Sequence, residues 1–242
     1  SYLQTIMKLS DSLYYGVIKN ADLSDGSIGS EITLLYDNNK DNIENIALLS
    51  KNGQMLESVP AARLKSNVDV IDENWFRNTL LKTENLHFST PHVQTIFDGS
   101  ESQYRWVISM SRAVEITHGP YTDQGVLLID IRYNSLERLF DGVNLGNGGY
   151  AYLISSDGEI IYHPKAQLID SGIVKENNQE SAGLKDGNYE EVFDGEKRIV
   201  SVKTVGYTGW KIVGVTPLDG MSLNNIKTKL LMVFIIAFVL FI

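Results

Sequence analysis

The chain has 242 residues, 43% of them hydrophobic and 21% charged, with 30 acidic against 21 basic side chains and a formal net charge of −9. That length can bury a full core in one large or two small domains, and the apolar content excludes global disorder. The acidic balance argues against a nucleic-acid partner, which needs a basic face, and the absence of cysteine excludes disulfides, thiolate metal sites and cysteine nucleophiles.

Leu3, Ile6, Met7, Leu9, Leu13, Tyr14, Val17 and Ile18 recur at spacings of three and four, which predicts a helix at the N-terminus. The stripe suits packing along the chain's own sheets, or pairing with a second copy in a homodimer. "DLSDGSIG" at 22–29 reads as a loop, and "EITLLYDNN" returns to a helical pattern. "LLSKNGQML" at 48–56 is a hairpin whose Asn52-Gly53 turn needs positive φ angles. Trp75, Phe76, Leu80 and Leu81 then mark a short helix, suited to packing on a sheet or to lining a pocket. After Pro91 an extended segment places His92 and Gln94 on one face.

"YRWVISMSRAV" at 104–114 alternates Trp106, Ile108 and Met110 with Val107, Ser109 and Ser111, as a half-buried strand does. "GVLLIDI" at 125–131 is apolar enough for a central strand, apart from Asp130. An ionised carboxylate there is costly unless paired. Its partner is internal, with Arg112 or Arg132 as candidates, or it arrives with a ligand. "LISSDGEII" at 153–161 repeats the first hairpin phrase. The turn Phe193-Asp194-Gly195 and the strand "GWKIVGV" follow in the order of Phe97-Asp98-Gly99 and "GVLLIDI" in the first copy, with Gly214 opposite Asp130 in this alignment. The chain is therefore an internal duplication, with extra residues in the middle of its first copy.

The last thirteen residues, "LLMVFIIAFVLFI", carry no polar side chain and follow Lys227 and Lys229. They predict the start of a transmembrane helix, with a further anchor expected upstream of Ser1 and the remaining chain outside the membrane. His87, His92, His118 and His163 form no HxxH or HExxH pair, no G-x-S-x-G elbow occurs, and "GNGGYA" lacks the Lys-Ser/Thr of a phosphate loop. No catalytic residue, metal or cofactor is assigned, and an enzyme is not expected.

"ENWFRNTL" at 73–80, "STPHVQ" at 89–94, "WVISMSRAV", "GVLLIDI" and above all "GNGGYAYLISSDGEIIYHP" at 146–164 give the chain a family likeness. It resembles the double Cache sensor domains of bacterial transmembrane receptors, over nearly its whole length. The resemblance implies an α+β fold: a long N-terminal helix followed by two tandem PAS-like modules with mainly antiparallel sheets. The corresponding segments are 1–30 for the helix, 31–142 for a membrane-distal module, 143–217 for a membrane-proximal module and 218–242 for a connector and membrane helix. It implies a signal-transduction role in a histidine kinase or chemotaxis receptor, at the cell membrane with this region extracytoplasmic.

Glu73, Trp75, Phe76, His92, Gln94, Ser109, Arg112, Tyr121 and Asp130 are the ligand-binding residues that the resemblance and the strand readings suggest. In amino-acid-binding members an aspartate at the position of Asp130 receives the ligand's amino group. Those members also place a carboxylate-gripping arginine two residues before the tryptophan. Glu73 stands there in this chain, which leaves Arg112 as a substitute and widens the ligand to an amino acid, amine, purine or other metabolite. The second module reads as a transmitter, with Tyr152, His163 and Tyr189 as polar candidates for a further small ligand. Two rival readings are a sensor acting through protein contacts without a ligand, and a membrane-anchored extracellular enzyme.

Overall fold

A computed structural model describes residues 8–218 except 21, 24–25, 84–85, 99–103, 142, 144 and 146–147. Leu3, Ile6 and Met7 of the predicted stripe, Gly99 and the apolar run from Leu230 lie outside the described residues, where the readings made on them stand as expectations. Among the described residues no helix is long and apolar enough to cross a membrane. The contacts divide the chain into two compact units, with the division falling between Ser135 and Leu136.

In the first unit, the helical run over residues 8–20, α1, passes through a π segment at Ser12–Val17 and a 3-10 turn at Ile18–Asn20. Leu9, Leu13, Val17 and Ile18 are buried while Lys8, Asp11 and Lys19 are exposed, as the spacing requires. A second helix, α2 (Ser27–Asp37), starts directly after Gly26, so the expected loop at 22–29 is shorter than its composition suggests. Gly26 has φ 72, and that left-handed turn lets the helix begin within the Gly/Ser-rich stretch.

The first sheet contains β1 (Ile43–Ser50), β2 (Met55–Val59), β3 (His87–Phe88), β4 (His92–Val93), β5 (Trp106–His118) and β6 (Tyr121–Arg132). Its order is β2-β1-β6-β5-β3, with β4 also on β5, and every pairing is antiparallel. Strand β6 is therefore central, between β1 and β5. Both of its faces are covered from Gly125 to Ile131, which explains a near-continuous apolar run instead of strict alternation. Helix α3 (Asn74–Leu81), preceded by a 3-10 turn at Val70–Asp72, covers one face, and α1 meets β5.

Gly125 sits where neighbours leave no room for a side chain. A Cβ there would lie 2.5 Å from the Leu49 carbonyl oxygen and would overlap the Ile116 side chain. The backbone of β1 cannot yield without loosening the ladder. Gly125→Ala should destabilise the first unit by about 1–3 kcal/mol, measured as a lower urea midpoint. A wild-type midpoint would refute this close approach.

In the second unit, α4 (Tyr133–Phe140), which crosses the division, leads into β7 (Tyr150–Ile154) and β8 (Ile160–Tyr162). Phe140 stacks on Tyr162 with ring centroids 4.3 Å apart. Two short helices, α5 (Ala166–Asp170) and α6 (Asn178–Gly183), precede β9 (Gly187–Phe193), β10 (Glu196–Val205) and β11 (Trp210–Pro217). The sheet order, β8-β7-β11-β10-β9, repeats the β2-β1-β6-β5-β3 path of the first unit, which carries β4 in addition. At the β9–β10 turn, Asp194 and Gly195 both have positive φ, 50 and 82, as the Asp-Gly signal requires.

The ladders correct one expected correspondence. With the two hairpin phrases matched, Leu49 is equivalent to Ile154. Asn45 faces Asp130 across the first sheet, and its counterpart Tyr150 faces Val215 across the second. The equivalent of Asp130 is thus Val215, not Gly214. The core faces agree, since Ala47, Leu49 and Leu128 cluster in one unit as Tyr152, Ile154 and Val213 do in the other. A one-residue slip in a strand exchanges its two faces, so the glycine alignment had placed an outward residue opposite an inward one. Val215 still carries no charge, and the shared topology does not demand a carboxylate there.

Candidate functional site

One face of the first sheet is apolar over most of its area and polar at one end. Ala47, Leu49, Val126 and Leu128 pack with Val70, Phe76, Ile96 and Phe97. Further along the same strands, Asn45, Ser109 and Asp130 stand side by side, because both Asn45 and Ser109 pair with Asp130 across the ladder. The segment after β4 brings Gln94 over them. Asp130 is 0% exposed. Its carboxylate accepts a hydrogen bond from Asn45 Nδ2 at 2.7 Å, and further short ones from Gln94 Nε2 and the Ser109 hydroxyl.

All three donors are neutral. Burial pushes the Asp130 carboxyl above its ordinary value, although the hydrogen bonds from Ser109, Asn45 and Gln94, and the nearby His92, oppose that shift. The orientation of Gln94 is set at both ends, since its Oε1 accepts from the backbone N–H of Ile96 at 3.1 Å.

His92 joins the cluster through Ser109, its Nε2 lying 3.3 Å from the Ser109 hydroxyl while its Nδ1 lies 3.0 Å from the Thr90 carbonyl oxygen. A carbonyl cannot donate, so the Nδ1 contact requires a proton on that nitrogen. The Ser109 hydroxyl in turn donates to the Asp130 carboxylate, which links His92 to the cluster.

The other expected site residues are distributed differently. Trp75 is half-buried and packs edge-on against Phe76 with centroids 5.6 Å apart, at the margin of the apolar cluster. Phe76 itself is buried within that cluster. The Thr79 and Ser111 hydroxyls meet at 2.7 Å and tie α3 to β5 beside the site. Glu73 is exposed, at the residue before α3. Tyr121 is 75% exposed at the far end of the β5–β6 hairpin, away from Asp130.

Arg112 lies three residues beyond Ser109 and so faces the other side of the sheet. There it pairs with Asp11 at 2.5 Å and lies over the rings of Tyr14 and Tyr15, 4.9 and 5.2 Å from their centroids. Neither it nor Arg132 is a partner of Asp130. Arg132 pairs at 2.7 Å with the buried Glu44, which Arg105 also engages. Asn45 is the member of the cluster that sequence reasoning missed. Its signal is weak, since it is one of two adjacent polar residues, Glu44 and Asn45, between Ile43 and Ile46 of β1.

Elsewhere in the first unit, a cleft of about 380 Å3 beside α2 is lined by Ile28, Leu56, Glu57, Ile116, His118 and Asp123 among others. Asp130 and its partners do not line it. Among the described residues no group of histidine and acidic side chains could hold a metal ion.

The equivalent face of the second unit is filled by its own polar groups. Glu176 has a fully buried side chain that accepts from His163 Nε2 at 3.2 Å and pairs with Arg198 at 2.8 Å. Tyr150 donates a short hydrogen bond to the same carboxylate. Burial opposes ionisation of Glu176, but His163, Tyr150, the backbone N–H of Asn177 and the Arg198 charge outweigh it and hold the carboxyl down to about 2. The N–H of Lys165 donates to His163 Nδ1 at 2.9 Å, so the proton of His163 sits on Nε2. Burial and Glu176 push the Tyr150 hydroxyl up. Tyr152 is buried and bonds Ser181 at 3.2 Å, whereas Tyr189 turns to the Lys185 carbonyl and stays apart from this network.

Comparison with known proteins bears on the whole chain. A family model described as "Cache domain" matches residues 1–224. The methyl-accepting chemotaxis protein McpA of Bacillus subtilis is 23% identical over 198 residues, which are 81% of this chain and 27% of McpA. TlpA of the same organism, also a methyl-accepting chemotaxis protein, is 23% identical over 176 residues, 72% of this chain and 24% of TlpA. The chain thus spans about a quarter of the length of the curated relatives it matches.

Among solved structures, the ligand-binding domain of the Pseudomonas aeruginosa amino-acid chemoreceptor PctC, in complex with GABA, superposes with a TM-score of 0.65 at 20% identity. It covers 89% of this chain and 91% of that domain. The ligand-binding domain of the Pseudomonas fluorescens chemoreceptor CtaA, in complex with L-isoleucine, gives 0.64 at 18% identity, covering 94% and 87%.

Proposed function

The chain belongs to the Cache domain family, and from that premise we propose that it is the extracytoplasmic sensing region of a bacterial transmembrane receptor, binding a small molecule in its first, membrane-distal module. Both sheets follow one topology, as two tandem Cache modules do. The observation that carries the reading is Asp130, a fully buried carboxylate met by three neutral donors and by no lysine or arginine among the described residues. A charged partner that arrives with a ligand completes it.

PctC and CtaA are similar in fold and bind GABA and L-isoleucine respectively, which supports an amino acid or amine here. A chemotaxis receptor is favoured over a histidine kinase by the curated relatives. The segments 1–30, 31–142, 143–217 and 218–242 are proposed as helix, distal module, proximal module and connector to the membrane. Binding shifts a conformational equilibrium only by its differential affinity for the two states. The displacement would leave along β11 toward the proposed membrane helix. The network around Glu176 leaves the second module as a transmitter, and no catalysis is assigned to either module.

A thermal-unfolding screen of amino acids, amines, purines, sugars and organic acids tests the reading. A ligand present at about 100 times its dissociation constant adds roughly 2.7 kcal/mol of stability, seen as a raised midpoint. If every compound leaves the midpoint unchanged, the protein-contact reading replaces this one.

A further inference from the structure

Asn45 is 7% exposed, and its two amide ends have different fates. Nδ2 donates to Asp130, which settles the orientation of the amide, since the flipped form would set an oxygen against the carboxylate. Oδ1 is then a buried acceptor with no hydrogen-bond partner among the described residues. Most buried polar atoms in folded proteins have a partner, and an orphan is expensive to retain. Gln94, the other amide on Asp130, shows the contrast, because its oxygen is satisfied by the Ile96 N–H. The second unit has Tyr150 at the equivalent position, with its hydroxyl engaged by Glu176. The fold therefore requires no unpaired acceptor at this point of β1.

An orphan carbonyl beside a buried carboxylate that meets no lysine or arginine among the described residues suits a group with several N–H donors and a positive charge. We propose that Asn45 is a ligand-binding residue, its Oδ1 accepting a second hydrogen bond from the protonated amine whose charge Asp130 balances. The inference rests on the distal-pocket reading and adds a specificity to it. A primary ammonium has donors for both oxygens, whereas a quaternary ammonium keeps the charge but has none to give. Asn45 thereby selects for the number of N–H groups and Asp130 for the charge. An α-amino acid and a simple amine share this chemistry, and a carboxylate on the ligand is indifferent to it.

Calorimetric titration of the chain with L-isoleucine, 4-aminobutyrate and n-butylamine, each also as its N-acetyl and N,N,N-trimethyl derivative, separates the possibilities. Primary amines should bind and their derivatives should bind at least tenfold more weakly; Asn45→Ala should remove most of the preference over the trimethyl derivatives, while the preference over the N-acetyl ones, set by the charge on Asp130, remains. Binding by the two amino acids alone identifies an amino acid as the source of the ammonium, and binding by n-butylamine as well identifies an amine.

Primary amines that bind wild type and Asn45→Ala equally, or acids and sugars from the screen that bind while amines do not, overturn the role of Asn45 and leave the sensing role standing. No binding by any compound of either set overturns both. Should Asn45→Ala fail to fold, a crystal structure of wild type with its tightest amine decides the matter. A ligand nitrogen within about 3.2 Å of Asn45 Oδ1 supports the proposal, and an ordered water there in the complex overturns it.

Discussion

Asp130→Asn should abolish the ligand response while preserving the fold. The substitution keeps the shape and removes the charge that an incoming cation needs. Truncating one side of a buried, hydrogen-bonded charge pair costs about 2–5 kcal/mol of binding, so affinity should fall by roughly thirtyfold or more. Wild-type affinity in the variant would exclude Asp130 from the site.

The same residue predicts a pH effect of definite sign. The folded carboxyl titrates above its unfolded value, so between the two the folded state binds more protons. Stability of the free protein should therefore fall as pH rises from the ordinary carboxylate range through the raised value. Asp130→Asn removes that slope. A cationic ligand favours the ionised form, so its affinity should rise over the same window. Urea midpoints and dissociation constants measured across that range check both statements, and a wild-type protein with no slope beyond that of the variant contradicts them.

Arg198→Ala should be the most damaging single change in the second unit. It leaves Glu176 buried without its cation and also releases Glu191, which Arg198 contacts through Nε at 2.5 Å. Breaking a buried pair by removing one partner costs about 3–5 kcal/mol. Glu176→Gln tests the other half. The wild-type carboxyl is lowered from 4.5 to about 2, a difference worth on the order of 3 kcal/mol at neutral pH. Here the unfolded chain binds more protons, so this stability is present above about 4.5 and is lost as pH falls toward 2. Glu176→Gln should be less stable than wild type at pH 7 and lose less on acidification. Parallel acid-unfolding curves for the two proteins would refute the assignment.

Much of this arrangement is legible from residue order. The hairpin phrases, the Asp-Gly turns and the apolar runs announce two copies of one sheet, because a strand's burial pattern and a turn's positive φ are properties of a few neighbouring residues. Asp130 stands out for the same reason, as a carboxylate in a strand whose both faces are covered. Gln94 and His92 follow from the extended segment after Pro91, and Ser109 from its alternation with Ile108 and Met110.

What the chain order leaves open is which face each residue occupies, and that is decided by register. Strand side chains alternate with period two, and the ladders carry irregularities at Ile43/Asn45, Leu48/Leu49 and Leu153/Ile154. Each such irregularity offsets one strand against its neighbour at no visible cost in local sequence. The match of Gly214 to Asp130 has another source: Gly125 lies within β6 whereas Gly209 precedes β11, so the two glycines are not equivalent and Val215 occupies the place of Asp130. Arg112 and Ser109 share one strand pattern, yet one meets Asp11 and the tyrosines of α1 and the other meets Asp130. Asn45 gained its role only when β1 paired with β6, since 85 residues of chain separate it from the carboxylate it bonds. By itself the sequence determined that two like sheets form and that one of them buries a charge. The pairing of distant strands decided which side chains surround that charge, because cross-strand register, unlike turn and strand propensity, depends on contacts that no local window contains.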